Sequence, residues 1–287
     1  TRIPQSTGNA RDSFHPFSGC WNQANGLVGA CNTPSIFMLA IQRYRSPSAD
    51  LETKVARSLS LLAEARARFE GAWTQAHSLG AEDVVATQLL HMAGWFDAVN
   101  PARVFVLNTG VLHAETLALV KVLNQRFSIE IEAFDPDPQQ LVALDLAVGS
   151  RGIFESKAAR LTCCDVRKLL PLKRALAGQT GWVTGLRRDQ SLNRADITPL
   201  DDNQTPVKLS PLADWTFGDV WAFIETHQLP YNALHDAFYP SIGCAPCTRA
   251  VSLGEDFRAG RWWWETEDGT SVAKECGLHV KTTGISS

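Results

Sequence analysis

The sequence predicts an α/β fold, a mainly parallel sheet with helices on both faces, and three observations carry that expectation. Short apolar runs that read as buried strands alternate with longer segments whose apolar residues recur at helical spacing. The strand-like runs end in Ser, Asn or Gly, as strands feeding a crossover helix do. Neither an internal repeat nor an apolar run near the ~20 residues of a membrane span interrupts the alternation.

Residues 1–50 are rich in Ser, Asn, Pro and Gly and hold no sustained period, so they are expected to form an irregular N-terminal extension. The first methionine is Met38, and a natural start there would leave most of that extension out. From Asp50 the pattern becomes regular. Leu51, Val55, Leu59, Leu62 and Phe69 stand four, four, three and seven apart and mark an amphipathic helix over 51–70. Trp73–His77 reads as a short strand, and Val85, Leu89, Met92 and Phe96 as a second helical stripe. Val104–Leu107 is a buried strand ending at Asn108-Thr109-Gly110. Leu117, Val120, Leu123 and Phe127 form another helix, followed by a strand over Ile129–Phe134. Gly181–Gly185 reads as a strand and 215–227 as a helix. The expected layout is a core domain over 51–250 and a tail over 251–287, whose glycines at 254, 260, 269 and 277 suit a mobile lid.

A hydrophobic fraction of 45%, a charged fraction of 20% and a net charge of −3 describe an ordinary globular chain with no general attraction for nucleic acid. Seven cysteines, five of them at ligand-like or isolated positions and without a secretory signal, point to a reducing, cytoplasmic setting.

Cys163-Cys164 and Cys244-x-x-Cys247 supply four soft ligands, which suit an iron–sulfur cluster or zinc. Adjacent ligands are unusual for zinc, whose paired ligands stand a few residues apart. Cys276 lies apart in Glu-Cys-Gly-Leu-His, with Lys274 and His279 near it, and reads as a nucleophile or as a small buried hydrophobe. Ser78–Asp83 joins a strand to a helix, a place for an anion on backbone N–H groups and equally a place for ordinary caps. Arg187, Arg188 and Arg194 crowd a loop at a strand end, either as anion ligands or as solvated ion pairs. Lys168 follows Cys164 by four residues and faces the same side if that stretch is helical; an exposed lysine is the alternative. Arg258 and Arg261, three apart before three tryptophans, can clamp an anion.

Together these residues resemble the assimilatory sulfonucleotide reductases, in the iron–sulfur branch that acts on adenylyl sulfate (APS). The resemblance runs from about Leu51 to about His279 and includes Gly185–Ser191, Lys208–Trp215, Leu229–Asn232 and Ser241–Arg249. It implies an adenine-nucleotide α-hydrolase-like (PP-loop) fold, with Ser78 and Gly80 on the phosphate loop and Leu107, Thr109 and Gly110 on the nucleotide-binding turn. It implies a [4Fe–4S] cluster on Cys163, Cys164, Cys244 and Cys247, with Lys168 between cluster and substrate. Arg187, Arg188, Arg194, Arg258, Arg261 and His279 match substrate-binding positions, and Cys276 the nucleophile.

Asn108 replaces the acidic residue usual in the family's turn, and Phe238 stands where a glycine is common. The implied reaction is thiolate attack by Cys276 on APS, release of AMP, and liberation of sulfite by thioredoxin. Homo-oligomers are common in such a family, and no nucleic-acid or membrane partner is implied. The alternatives are a 3′-phosphoadenylyl-sulfate (PAPS) reductase, a tRNA-sulfurating relative, or a non-catalytic metal-binding protein.

Overall fold

The computed structural model describes residues 38–265, Ala98 and Ser150 excepted. One sheet contains β1 (Trp73–Ala76), β2 (Arg103–Leu107), β3 (Ile131–Phe134), β4 (Gly181–Val183), β5 (Leu200–Asp201) and β6 (Val207–Leu209). The strand order is β3-β2-β1-β4-β6-β5. All pairings are parallel except that of the short edge strand β5 with β6. The chain winds outward from β1 through β2 to β3, then returns to place β4 on the other side of β1. Strand order therefore reverses between β1 and β4.

Helices cover both faces. Val104, Val106 and Val183 point into the main core with α2 (Leu51–Arg68), α3 (Ala81–Met92), α4 (Ala114–Phe127) and α8 (Phe217–Thr226). The alternate residues Phe105 and Trp182 pack the other way, against Leu172 and Ala175 of α7 (Leu170–Leu176). This two-sided burial is why the strands read as continuous apolar runs.

The structure refines several expectations. Ordered packing begins before residue 51. Helix α1 (Ala40–Tyr44) buries Ala40 completely, and the Ala40 N–H donates to Asp236 Oδ1 at 2.6 Å. In α2 the buried stripe is Lys54, Ser58, Leu62 and Ala65, rotated from the apolar stripe read in the sequence. Lys54 Nζ reaches Asp219 Oδ2 at 2.9 Å, and Ser58 Oγ donates to Pro211 O and accepts from Trp215 Nε1. In α4 the buried residues are Thr116, Leu119, Leu123 and Phe127, while Leu117 is exposed.

Two further helices precede α7: α5 (Pro138–Val148) and α6 (Lys157–Cys164). Between α6 and α7, residues Asp165–Leu169 form a π-helical turn. Pro171 explains it. A proline ring clashes with the carbonyl four residues earlier, and widening the turn relieves the clash. Phe238 adopts φ 65°, the left-handed region that favours glycine, and the Arg43 guanidinium covers its ring at 3.8 Å. The side chain is thus seated, at the cost of a conformation rare for an aromatic residue.

Candidate nucleotide and cysteine site

The C-terminal ends of β1, β2 and β4 open onto a cavity of about 210 Å³. It lies where strand order reverses, the position at which open α/β sheets bind ligands. Ser78, Gly80, Glu82 and Asp83 line it from the loop after β1, Leu107 and Thr109 from the end of β2, and Gly185, Gln190 and Arg194 from the segment after β4. Ser241, Gly243, Cys244, Arg258, Arg261 and Trp262 complete the wall, and Phe105, Leu172 and Trp182 give it an apolar end.

Asp83 shapes the loop after β1. Its Oδ2 accepts from the Ser78 N–H at 2.7 Å and from Ser78 Oγ, and its Oδ1 accepts from the Gly185 N–H at 2.8 Å. A Cβ on Gly185 would lie 2.5 Å from that Oδ1, so this close approach requires glycine. Burial pushes the Asp83 carboxyl up to about 6 despite these donors. Leu79 adopts φ 63°, and its N–H donates to His77 Nδ1 at 2.9 Å. Backbone strain of this kind persists where the surroundings over-determine it.

Glu82 behaves differently from its neighbour. Burial works against its charge, but the Arg187 guanidinium and the Gln190 amide outweigh it and hold the carboxyl below its ordinary value. Arg187 Nη2 lies 3.0 Å from Glu82 Oε1, and Gln190 Nε2 2.8 Å from the same oxygen.

This arrangement departs from the expectation that Arg187 and Arg188 bind substrate. Arg187 is 1% exposed and ion-paired with Glu82 and Asp189, and Arg188 pairs with Asp214 and donates to Ile197 O at 2.8 Å. Neither lines the cavity, because carboxylates and carbonyls already occupy their N–H groups. Arg194, Arg258 and Arg261 do line it. Gly110, φ 75°, sits beyond the lining at the turn after β2, where Arg167 Nη1 donates to Thr109 O at 2.8 Å. Asn108 Nδ2 donates to Asp135 Oδ1 at 2.7 Å and does not line the cavity either.

A second cavity, of about 150 Å³, is lined by Cys163, Cys164, Cys244 and Cys247. All four are free thiols. Cys163 and Cys164 end α6, and Cys244 precedes a 3-10 turn that Cys247 ends. That turn is fixed to the chain after β2 by the Ala245 N–H donating to Val111 O at 2.8 Å. Among the described residues no three His, Cys, Asp or Glu side chains are grouped to hold a single metal ion; the thiols surround a common space.

Burial raises the Cys163 thiol, and burial with the nearby Cys244 charge pushes Cys247 up to about 12. Cys244 is held below its ordinary value, since Lys168, the Thr109 hydroxyl at 3.3 Å and Arg261 together outweigh burial. Four thiolates in this space therefore need added positive charge, which fits a polynuclear metal centre. Lys168, Cys244 and Trp262 line both cavities and so form the wall between them.

The root of the tail is anchored on the same wall. Arg160, one turn before Cys163 and Cys164, is 1% exposed and pairs with Glu265, Nη2 to Oε2 at 3.2 Å. The guanidiniums of Arg160 and Arg261 both lie over Trp262, 4.5 and 4.6 Å from its ring centroid. Cys276 and His279 lie outside the described residues. Sequence reasoning missed Asp83, Glu82, His77, His235 and the Arg160–Glu265 pair. Asp83 and Glu82 had a local signal as acids in the first turn of a helix facing a strand-end loop. The others had none.

The profile of the phosphoadenosine phosphosulfate reductase domain matches residues 72–250. An adenosine 5'-phosphosulfate reductase of Allochromatium vinosum is 46% identical over 241 residues, 83% of this chain and 90% of that protein. A reductase of the same name from Burkholderia cepacia is 45% identical over 81% of this chain and 90% of its own. Among solved structures, a phosphoadenylyl-sulfate reductase from Candida auris superposes with a TM-score of 0.53 at 20% identity, covering 70% of this chain and 97% of that one. A yeast FAD synthetase in complex with FAD gives 0.50 at 13% identity, over 74% and 73% of the two chains. These two likenesses speak to the fold alone. The chain belongs to the phosphoadenosine phosphosulfate reductase family and, by its long high-identity matches, to the adenosine 5'-phosphosulfate reductases within it.

Proposed function

We propose that the chain reduces adenosine 5'-phosphosulfate to sulfite and AMP, with Cys276 as nucleophile and an external dithiol of the thioredoxin type as reductant. The observation that carries this reading is the shared wall, in which Lys168, Cys244 and Trp262 join a nucleotide-sized cavity to one lined by four cysteines. The apolar end at Phe105, Leu172 and Trp182 suits a purine, and Lys168, Arg194, Arg258 and Arg261 suit the phosphosulfate.

In this reading the Cys276 thiolate attacks the sulfonyl sulfur. The bond from sulfur to the bridging oxygen breaks, AMP leaves with that oxygen, and a thiosulfonate remains on Cys276. A dithiol thiolate then attacks the Cys276 sulfur, releasing sulfite and leaving a mixed disulfide. The dithiol's second sulfur resolves it, so the dithiol gives two electrons and Cys276 returns as thiolate. The cavity's cations offset the repulsion between thiolate and anion and stabilise charge on the leaving oxygen.

Cys163, Cys164, Cys244 and Cys247 would hold a [4Fe–4S] cluster, whose iron core supplies the positive charge that four buried thiolates require. Lys168 then compensates charge on both sides of the wall. The expected setting is the cytoplasm, where thiols stay reduced; among the described residues no helix is long and apolar enough to cross a membrane.

The test is anaerobic incubation with adenosine 5'-phosphosulfate followed by intact-mass and peptide analysis. The expected result is a sulfonate adduct on Cys276 that thioredoxin removes as sulfite. A protein with its metal centre loaded that stays unlabelled at Cys276, or a Cys276→Ser variant with full turnover, overturns the reading. Preference for the 3′-phosphorylated nucleotide would instead favour a PAPS reductase.

A further inference from the structure

Residues 240–243 line the nucleotide cavity immediately before Cys244, and the chain enters that strip through a strained residue. Phe238 holds φ 65°, which an aromatic residue adopts only where its surroundings impose it. The support comes from α1, far away in sequence. Arg43 donates from Nη1 to His235 O at 3.2 Å and from Nη2 to Asp236 O at 3.3 Å, and its guanidinium lies 3.8 Å from the centroid of the Phe238 ring. The same Nη2 donates to Met38 O at 2.6 Å, and the Ala40 N–H donates to Asp236 Oδ1 at 2.6 Å. Helix and turn are therefore joined at several points around one guanidinium.

Downstream, the strip seats an arginine of the cavity wall. Arg261 Nη1 donates to Ile242 O at 3.2 Å and to Ser241 Oγ at 3.4 Å. Gly243 passes so near that a Cβ there would lie 2.4 Å from Arg261 Nη2. A guanidinium held this closely on a stretch of backbone moves when that backbone moves. The Phe238 carbonyl also accepts from the Val251 N–H at 2.9 Å, which ties the turn to the segment that runs on to Arg258 and Arg261.

We propose that Arg43 is a positioning residue for the anion end of the cavity. It holds Phe238 in the left-handed conformation, which fixes the strip 239–243 and, through Ser241 and Ile242, the Arg261 guanidinium. The inference rests on the reaction proposed above, in which Arg261 meets the phosphosulfate. A planar guanidinium suits the task, because its face covers a ring while its N–H groups reach carbonyls, and an ammonium cannot do both. The contribution is preorganisation: a strip free to leave the strained conformation would have to be ordered again each time the anion binds. Glycine takes the same φ without strain, so Phe238→Gly should make Arg43 largely dispensable.

The test compares Arg43→Ala, the milder Arg43→Lys, Phe238→Gly and the double variant Arg43→Ala/Phe238→Gly, each as the full chain with its metal centre loaded. Amide hydrogen exchange is read along the chain. Affinities are read for adenosine 5'-phosphosulfate and for adenosine, which lacks the anion, in a Cys276→Ser background that keeps the nucleotide intact.

Arg43→Ala should speed exchange over 239–243 and leave β1 and β2 unchanged. It should weaken adenosine 5'-phosphosulfate roughly tenfold and adenosine hardly at all. Arg43→Lys should fall between, and most of both effects should vanish in the Phe238→Gly background. Unchanged exchange over 239–243 overturns the proposal. So does acceleration spread evenly over the sheet, or an equal loss with and without Phe238. Should Arg43→Ala fail to fold, Arg43→Lys decides by the same criteria. Exchange needs no nucleotide, so a chain that binds no adenosine 5'-phosphosulfate would sink the reaction while the exchange pattern still decides the role of Arg43.

Discussion

Arg187, Arg188 and Arg194 leave one loop after β4, yet only Arg194 lines the cavity. Arg187 is enclosed by Glu82, Asp189 and the Phe217 ring at 5.4 Å, and Arg188 is held by Asp214. Arg258 and Arg261 arrive from the distant tail root and do what the first two do not. Arg187 and Arg188 meet carboxylates inside the fold and brace the scaffold, while Arg194, Arg258 and Arg261 reach the cavity wall. Density of arginine along a sequence does not distinguish the two.

The largest effect that can break this contrast is on stability. Arg187→Gln leaves the buried Glu82 uncompensated and should cost about 3–5 kcal/mol in urea unfolding. An unchanged midpoint would make Arg187 a free cation after all. Arg258→Gln should do the reverse, lowering kcat/KM by roughly 10²–10³-fold with the urea midpoint preserved. Loss of stability with activity intact would place it with the scaffold.

Glu82, paired with Arg187, and its sequence neighbour Asp83 sharpen the point through pH. The folded value of Asp83, about 6, exceeds its ordinary 3.8, so between those pH values the folded protein keeps a proton that the unfolded chain has lost. That contribution to stability is present below pH ~4 and lost as pH rises to about 6, on the order of 2–3 kcal/mol at most. Asp83→Asn should flatten that slope in melting temperature against pH. Glu82, held low by Arg187, slopes the other way, contributing stability above its ordinary value and losing it as pH falls. The smallest effect belongs to Arg188→Gln, under about 1 kcal/mol with kcat/KM unchanged, because its ion pair is partly solvated.

Strand and helix alternation and the cysteine grouping were legible because period, turn residues and ligand spacing are local properties. The stripe of α2 was misplaced because apolar counting ignores Lys54 and Ser58, which are buried through Asp219 and Pro211, 165 and 153 positions away. Asp83 and Gly185, 102 apart, and Arg187 and Glu82, 105 apart, meet only once the sheet has formed. The same distance hid the role of Arg187. Lys168 was placed by a helical turn that turned out to be π, yet it still reaches the cavity wall.

That wide turn has a consequence for how relatives should be compared. A π-turn is one surplus residue accommodated without breaking a helix, so a relative lacking Pro171 could carry one residue fewer between Asp165 and Leu169 and keep both flanking helices. Removing that residue from this chain would rotate everything before it by about 100° relative to everything after it. Cys163 and Cys164 would then swing away from Cys244 and Cys247, and the shortened protein should fail to hold the proposed metal centre while remaining helical by circular dichroism.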